Sequence, residues 1–164
     1  MKKIIMLTVA ALFTFTIQSQ NVFNKGDFML NVGIGAPHSF GFIPTVNFSG
    51  EFGVIPTGDI GLVSFGGLAE FQLGDDGNIF PRFYVGPRAA WHLLTFISTE
   101  FDVYAGAGFG IVINGNGLDK NSGVDSQADA FVGGRWMFSP GMGLFVEIGY
   151  SGLSSGKFGL TFGL

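Results

Sequence analysis

Acid–base chemistry in this chain would have to start from its two histidines, His38 and His92. A serine hydrolase sets a His beside a Ser and orients it with an acid. His38 is followed directly by Ser39, but adjacent residues of an extended chain point to opposite sides. His92 has Asp102 ten residues further on, across an expected turn, and no serine is evident within its reach. The chain is therefore expected not to be an enzyme. Asp75, Asp76 and Asn78, and Asp119 with Asp125, lack the spacing of a calcium loop and read as solvated loop charge. With no cysteine, thiolate metal sites, thiol nucleophiles, disulfides and a lipidated N-terminal Cys are excluded. No catalytic, cofactor or metal residue is assigned. The net charge of −4, with no basic run beyond Lys2-Lys3, argues against nucleic acid as a partner.

The remaining charges are few and their placement carries the reading. Charged residues are 12% of the chain, about half the usual ~25%, while 28 of 164 residues are Gly and 20 are Phe. That is too apolar and aromatic for disorder, and too poor in charge to cover an ordinary soluble globule. Met1-Lys2-Lys3, an apolar run from Ile4 to Ile17, and Gln18-Ser19-Gln20-Asn21 form a secretory signal peptide expected over residues 1–19. Beyond it, no apolar stretch is long enough for a membrane helix. For an exported chain this apolar, the spanning solution left is a closed barrel, which pairs every backbone group between strands.

The elements that must position the charges are runs of period two, the strand signature. Eight are read: 27–35, 45–54, 61–73, 82–93, 101–113, 128–138, 144–151 and 157–164. One parity is apolar throughout, as in Phe28, Leu30, Val32 and Ile34, or Leu144, Val146, Ile148 and Tyr150. The other holds Glu51, Glu70, Arg82, Arg88, His92, Asp102, Asp129, Arg135, Glu147 and Lys157. An apolar outside and a polar inside describe a transmembrane barrel rather than a soluble one. The fold class is thus all-β: an eight-stranded antiparallel up-and-down barrel over 27–164, preceded by a signal peptide and a short periplasmic segment, 20–26.

Eight strands leave an interior just wide enough for side chains, so each large inward residue needs small neighbours. Glycines of the inward parity, such as Gly86, Gly106, Gly110 and Gly133, supply them. Glu51, Glu70 and Glu147 are expected to pair with Arg88 and Arg135 as a neutralising plug. Trp91, Trp136, Phe138 and Tyr150 have outward parity near strand ends and suit aromatic girdles. Connections alternate between 55–60, 94–100 and 139–143, taken as periplasmic turns, and 36–44, 74–81, 114–127 and 152–156, taken as outer loops. Of these, 114–127 is the longest and is expected to be the most mobile. Loop 36–44 is apolar, with Phe40, Phe42 and Ile43, and is expected to fold over the mouth or meet a partner. Pro87 lies mid-strand, where proline belongs at edges or bulges, so a bulge or local kink is expected near Gly86-Pro87.

The stretches from Phe101 to Gly110 (FDVYAGAGFG), from Gly133 to Pro140 (GGRWMFSP) and from Gly143 to Tyr150 (GLFVEIGY) resemble small outer-membrane β-barrel proteins of the OmpA/OmpX-like superfamily. The leader ending Ser19-Gln20-Asn21 looks like those of Bacteroidota. The resemblance implies placement in the outer membrane among lipid and lipopolysaccharide, and insertion by the barrel-assembly machinery. It departs at the last residue, Leu164 rather than Phe. A structural or interaction role with a plugged lumen is the expected function. The alternatives are a narrow solute or ion channel, and an adhesin or partner-binding protein acting through loops 36–44 and 114–127. Lipid-modifying enzymes on similar barrels make enzymatic activity a further, disfavoured alternative.

Overall fold

The computed structural model describes residues 22–75, 77–93, 100–115 and 123–164. The expected signal peptide, and the middle of the loop expected to be most mobile, lie outside the described residues. Alternation of apolar and polar residues produces eight strands: β1 (Phe28–Pro37), β2 (Thr45–Pro56), β3 (Leu62–Asp75), β4 (Ile79–His92), β5 (Phe101–Asn114), β6 (Gly123–Ser139), β7 (Met142–Ser151) and β8 (Ser154–Gly163). Each pairs antiparallel with its neighbour in sequence, and β8 closes on β1 to form a barrel. A short 3-10 turn, Gly58–Ile60, joins β2 to β3. We call the end carrying this turn and the β6–β7 turn the lower end, and the opposite one the upper end.

Strands run longer than their apolar alternation. β6 begins at Gly123, because Gly123, Val124, Asp125 and Ser126 pair with Asn114, Ile113, Val112 and Ile111. Backbone pairing needs no apolar side chain, so the ladder continues into polar sequence that reads as loop. At the β7–β8 connection the five-residue loop 152–156 shrinks to a two-residue turn, Gly152-Leu153.

No bulge forms at Pro87. The β3–β4 register runs unbroken through Leu68↔Gly86 and Gly67↔Pro87. On the other flank Val85↔Ile111 and Arg88↔Gly108 keep the same register on both sides of Gly86-Pro87, which themselves go unpaired to β5. A missing N–H opens the ladder locally here instead of slipping it, so Arg82 and Arg88 share the inward face.

The outer surface is a continuous apolar belt. Phe48, Phe52, Phe65, Phe83, Val85, Phe109, Val132, Val146, Ile148 and Phe158 are all exposed. Soluble monomers rarely expose apolar patches beyond a few hundred Å², so the architecture fits a barrel set in a membrane. The interior is filled by rings and charges that the glycines make room for. A Cβ on Gly106 would strike the Phe131 ring, one on Gly133 the Tyr104 ring, and one on Gly110 the Tyr84 ring.

Candidate functional site

The interior contains all ten charged residues that the sequence placed on the inward face. Glu51, Glu70, Arg82, Arg88, His92, Asp102, Asp129, Arg135, Glu147 and Lys157 are each no more than 5% exposed. A buried charge is tolerated only when paired and hydrogen-bonded, so the partners define the site.

At the lower end, β2, β4, β5 and β6 bring Glu51, His92, Asp102 and Arg135 together. Arg135 donates Nη1 to Asp102 Oδ2 at 3.0 Å and Nη2 to Glu51 Oε1. His92 Nδ1 lies 2.9 Å from Asp102 Oδ2, and its Nε2 lies 3.2 Å from Glu51 Oε2. Ser64, from β3, completes the group. Its Oγ donates to Glu51 Oε2 at 2.7 Å and lies 2.9 Å from His92 Nε2. The expectation that no serine reaches His92 is therefore corrected. Parity alone puts Ser64 and His92 on one face; the β3–β4 register, which pairs Leu62 with His92, brings them within two residues along the ladder.

Ser64, His92 and Asp102 have the distances of a hydrolytic triad, but the donors and acceptors run differently. A carboxylate only accepts. Nδ1 of His92 faces Asp102, and its Nε2 lies nearer to the Ser64 hydroxyl than to Glu51 Oε2. The Ser64 hydroxyl donates to Glu51 Oε2. Phe23, fully buried, covers the group from below, with its ring centroid 4.7 Å from that of His92. It is held by the turn in which Asn24 N donates to Asp27 Oδ2 at 2.8 Å and Gly26 N to Gly53 O at 2.9 Å. The expectation of a plain periplasmic segment over 20–26 assigned Phe23 no such contact, because nothing local distinguishes a plugging phenylalanine from a solvated one.

At mid-barrel, Arg88 donates Nη2 to Glu147 Oε1 at 2.6 Å and Nη1 to Oε2 at 3.2 Å, while its guanidinium lies 3.8 Å from the Phe131 ring centroid. Tyr104 donates to the same Glu147 at 3.0 Å. Glu70 pairs with Lys157 at 3.1 Å rather than with either arginine. Lys157 also donates to Ser151 Oγ at 2.9 Å.

Above this layer the Gly152-Leu153 turn dips into the barrel. Leu153 is fully buried against Leu68, Tyr84 and Val112. Its N–H donates to Glu70, and Gly152 N donates to Asp129 Oδ1 at 3.1 Å. Two interior carboxylates thus hold the turn inward, and Tyr84 donates to the same Asp129. His38, at the rim, donates from Nε2 to Gly152 O at 3.0 Å and stacks on Tyr150, centroids 4.3 Å apart.

The upper mouth is closed on one side by loop 36–44. Phe40 has φ +59° and packs edge-on against Phe80, centroids 5.6 Å apart. Its ring centroid is 4.3 Å from the Arg82 guanidinium. Arg82 donates Nε to Asn114 Oδ1 at 2.9 Å, and Nη1 to Gln72 Oε1 at 2.9 Å and Ser39 Oγ at 3.2 Å. Beside it is a cleft of about 300 Å³ lined by residues of loop 36–44 and of β4, β5, β6 and β7.

The outward aromatics separate by end. Trp91, Trp136 and Phe138 are half-exposed at the lower rim. There Trp91 Nε1 donates to Thr57 Oγ1 at 3.1 Å, and Trp136 stacks on Phe101 at 6.3 Å. Tyr150 stands alone of the four at the upper rim, against His38 and the cleft. Compared with known proteins, the chain matches no family model and no curated protein.

Proposed function

We propose that the chain is an integral outer-membrane β-barrel protein with a structural or interaction role, and that its lumen is closed rather than conducting. The observation that carries the reading is the filled interior. Ion pairs occupy its length, between Phe23 at the lower end and the inturned Gly152-Leu153 turn at the upper. The exposed apolar belt and the resemblance to small OmpA/OmpX-like barrels support the setting. Outer-membrane lipid and lipopolysaccharide then cover the belt, and the barrel-assembly machinery inserts the chain. Planar-bilayer recording of refolded protein should show no discrete conductance, and stepwise currents would overturn the closed lumen. For orientation, cysteines placed at Asn78 and Asp59, both exposed and at opposite ends, face a background with no native cysteine. Asn78→Cys should label from outside whole cells and Asp59→Cys should not.

On this reading the Ser64–His92–Asp102 group is structural, since the Ser64 hydroxyl is engaged with Glu51 and Phe23 covers the group. One surface feature favours an added interaction role: Phe42, 99% exposed at the crest of loop 36–44. Replacing it with Ser should leave folding unchanged and weaken any partner captured through that loop.

A further inference from the structure

Arg82 differs from the other interior cations. Arg88, Arg135 and Lys157 each have a carboxylate within 4.0 Å, whereas among the described residues no carboxylate comes that close to Arg82. It is nevertheless only 4% exposed. Its Nε and Nη1 are held by neutral oxygens of Asn114, Gln72 and Ser39, and Phe40 lies over the guanidinium. Nη2 donates to none of the described residues, and Arg82 lines the cleft. A buried guanidinium without an anion is costly, and here its orientation is fixed from three sides while one donor edge is left available.

The wall beside it carries the opposite charge. Asn114 accepts from Arg82 through Oδ1 and donates Nδ2 to Asp125 Oδ2 at 3.4 Å, so one amide side chain separates the cation from an exposed carboxylate. Val112, Phe40 and Tyr150 supply apolar surface to the same cleft. Its volume, about 300 Å³, lies at the small end of ligand pockets.

We infer that this cleft binds a small zwitterion of the α-amino-acid type with an apolar side chain, its carboxylate on Arg82 and its ammonium on Asp125. A simple anion would meet Asp125 unfavourably, and a simple cation would meet Arg82 so. Only a ligand with both charges a few bonds apart satisfies both. The inference does not depend on whether the lumen conducts.

Calorimetric titration of the refolded barrel in detergent tests it, with L-phenylalanine as the probe. Saturable binding is expected with a Kd of roughly 1 mM, the range open to a ligand this small. 3-Phenylpropionate lacks the ammonium and 2-phenylethylamine lacks the carboxylate; each should bind about tenfold more weakly, the value of one lost charge-assisted hydrogen bond. Arg82→Gln should bring L-phenylalanine down to the level of 2-phenylethylamine, about tenfold weaker. Asp125→Asn, at an exposed rim position that does not threaten folding, should bring L-phenylalanine down to the level of 3-phenylpropionate. The gel shift of the unheated barrel checks that each variant is folded. Absence of saturable L-phenylalanine binding to the native protein overturns the site. Equal binding of 3-phenylpropionate, with no effect of Asp125→Asn, overturns the zwitterion.

Discussion

Both ends of the barrel bury an arginine, and they treat it in opposite ways. At the lower end Arg135 bridges two carboxylates, Glu51 and Asp102, which are themselves tied to His92 and, through Glu51, to Ser64. At the upper end Arg82 is held by an asparagine, a glutamine and a serine, with an aromatic ring above. The first arrangement satisfies charge with charge inside the protein. The second fixes the side chain without neutralising it. The same residue type thus serves cohesion where charges pair and recognition where a cleft opens.

That contrast should appear as a difference in stability. Arg135→Gln leaves Glu51 and Asp102 buried without their cation, and should destabilise the barrel by about 3–5 kcal/mol. Arg82→Gln strands no carboxylate and should cost roughly 1 kcal/mol, up to about 2. Urea unfolding in lipid vesicles measures both, and equal losses would erase the distinction between the ends.

The seals come next in size. Phe23→Ala removes a fully buried ring from the lower end, and Leu153→Ala removes the side chain that the upper turn carries inward. Each should cost about 2–4 kcal/mol by cavity formation. If Phe23 is a passive flap, its loss will instead leave unfolding unchanged, and the lower seal must then be sought elsewhere.

Ser64→Ala loses hydroxyl bonds to Glu51 and His92 and should cost about 1–2 kcal/mol. The native protein should not react with a fluorophosphonate, because the Ser64 hydroxyl is held by Glu51 and Phe23 covers the group. Covalent labelling that disappears in Ser64→Ala would return the group to hydrolytic chemistry. The smallest effect is expected at Pro87. Pro87→Ala restores an N–H to the open stretch of the β4–β5 ladder but relaxes the unfolded chain, and the two should offset to within about 1 kcal/mol.

Much of this architecture was legible in the residues, for a definable reason. Period-two alternation locates a strand and its two faces from local information alone. The inward parity of Glu51, Arg88, Arg135 and Glu147 accordingly follows from their neighbours in sequence. Strand ends were less legible: β6 runs five residues beyond its apolar pattern because Gly123–Gln127 pairs through its backbone. Pro87 was only partly legible, for a related reason. A missing N–H predicts a disturbed ladder, but only the flanking registers decide between a slip and a gap.

Partners lay beyond parity. That Glu70 meets Lys157 rather than an arginine, that Ser64 sits against His92, and that Arg82 alone among the interior cations meets no carboxylate of the described residues depends on strand stagger and closure of β8 on β1. The buried Phe23 and Leu153 lie outside the strands, where no periodicity signals direction. By itself, then, the sequence determined that there are two faces of opposite polarity, and which residue belongs to each, because side-chain direction along a strand is a local property of the chain. Only the tertiary structure decided which charges neutralise one another and which is left facing a cleft, because ion pairing is set by distances across the barrel that no single strand contains.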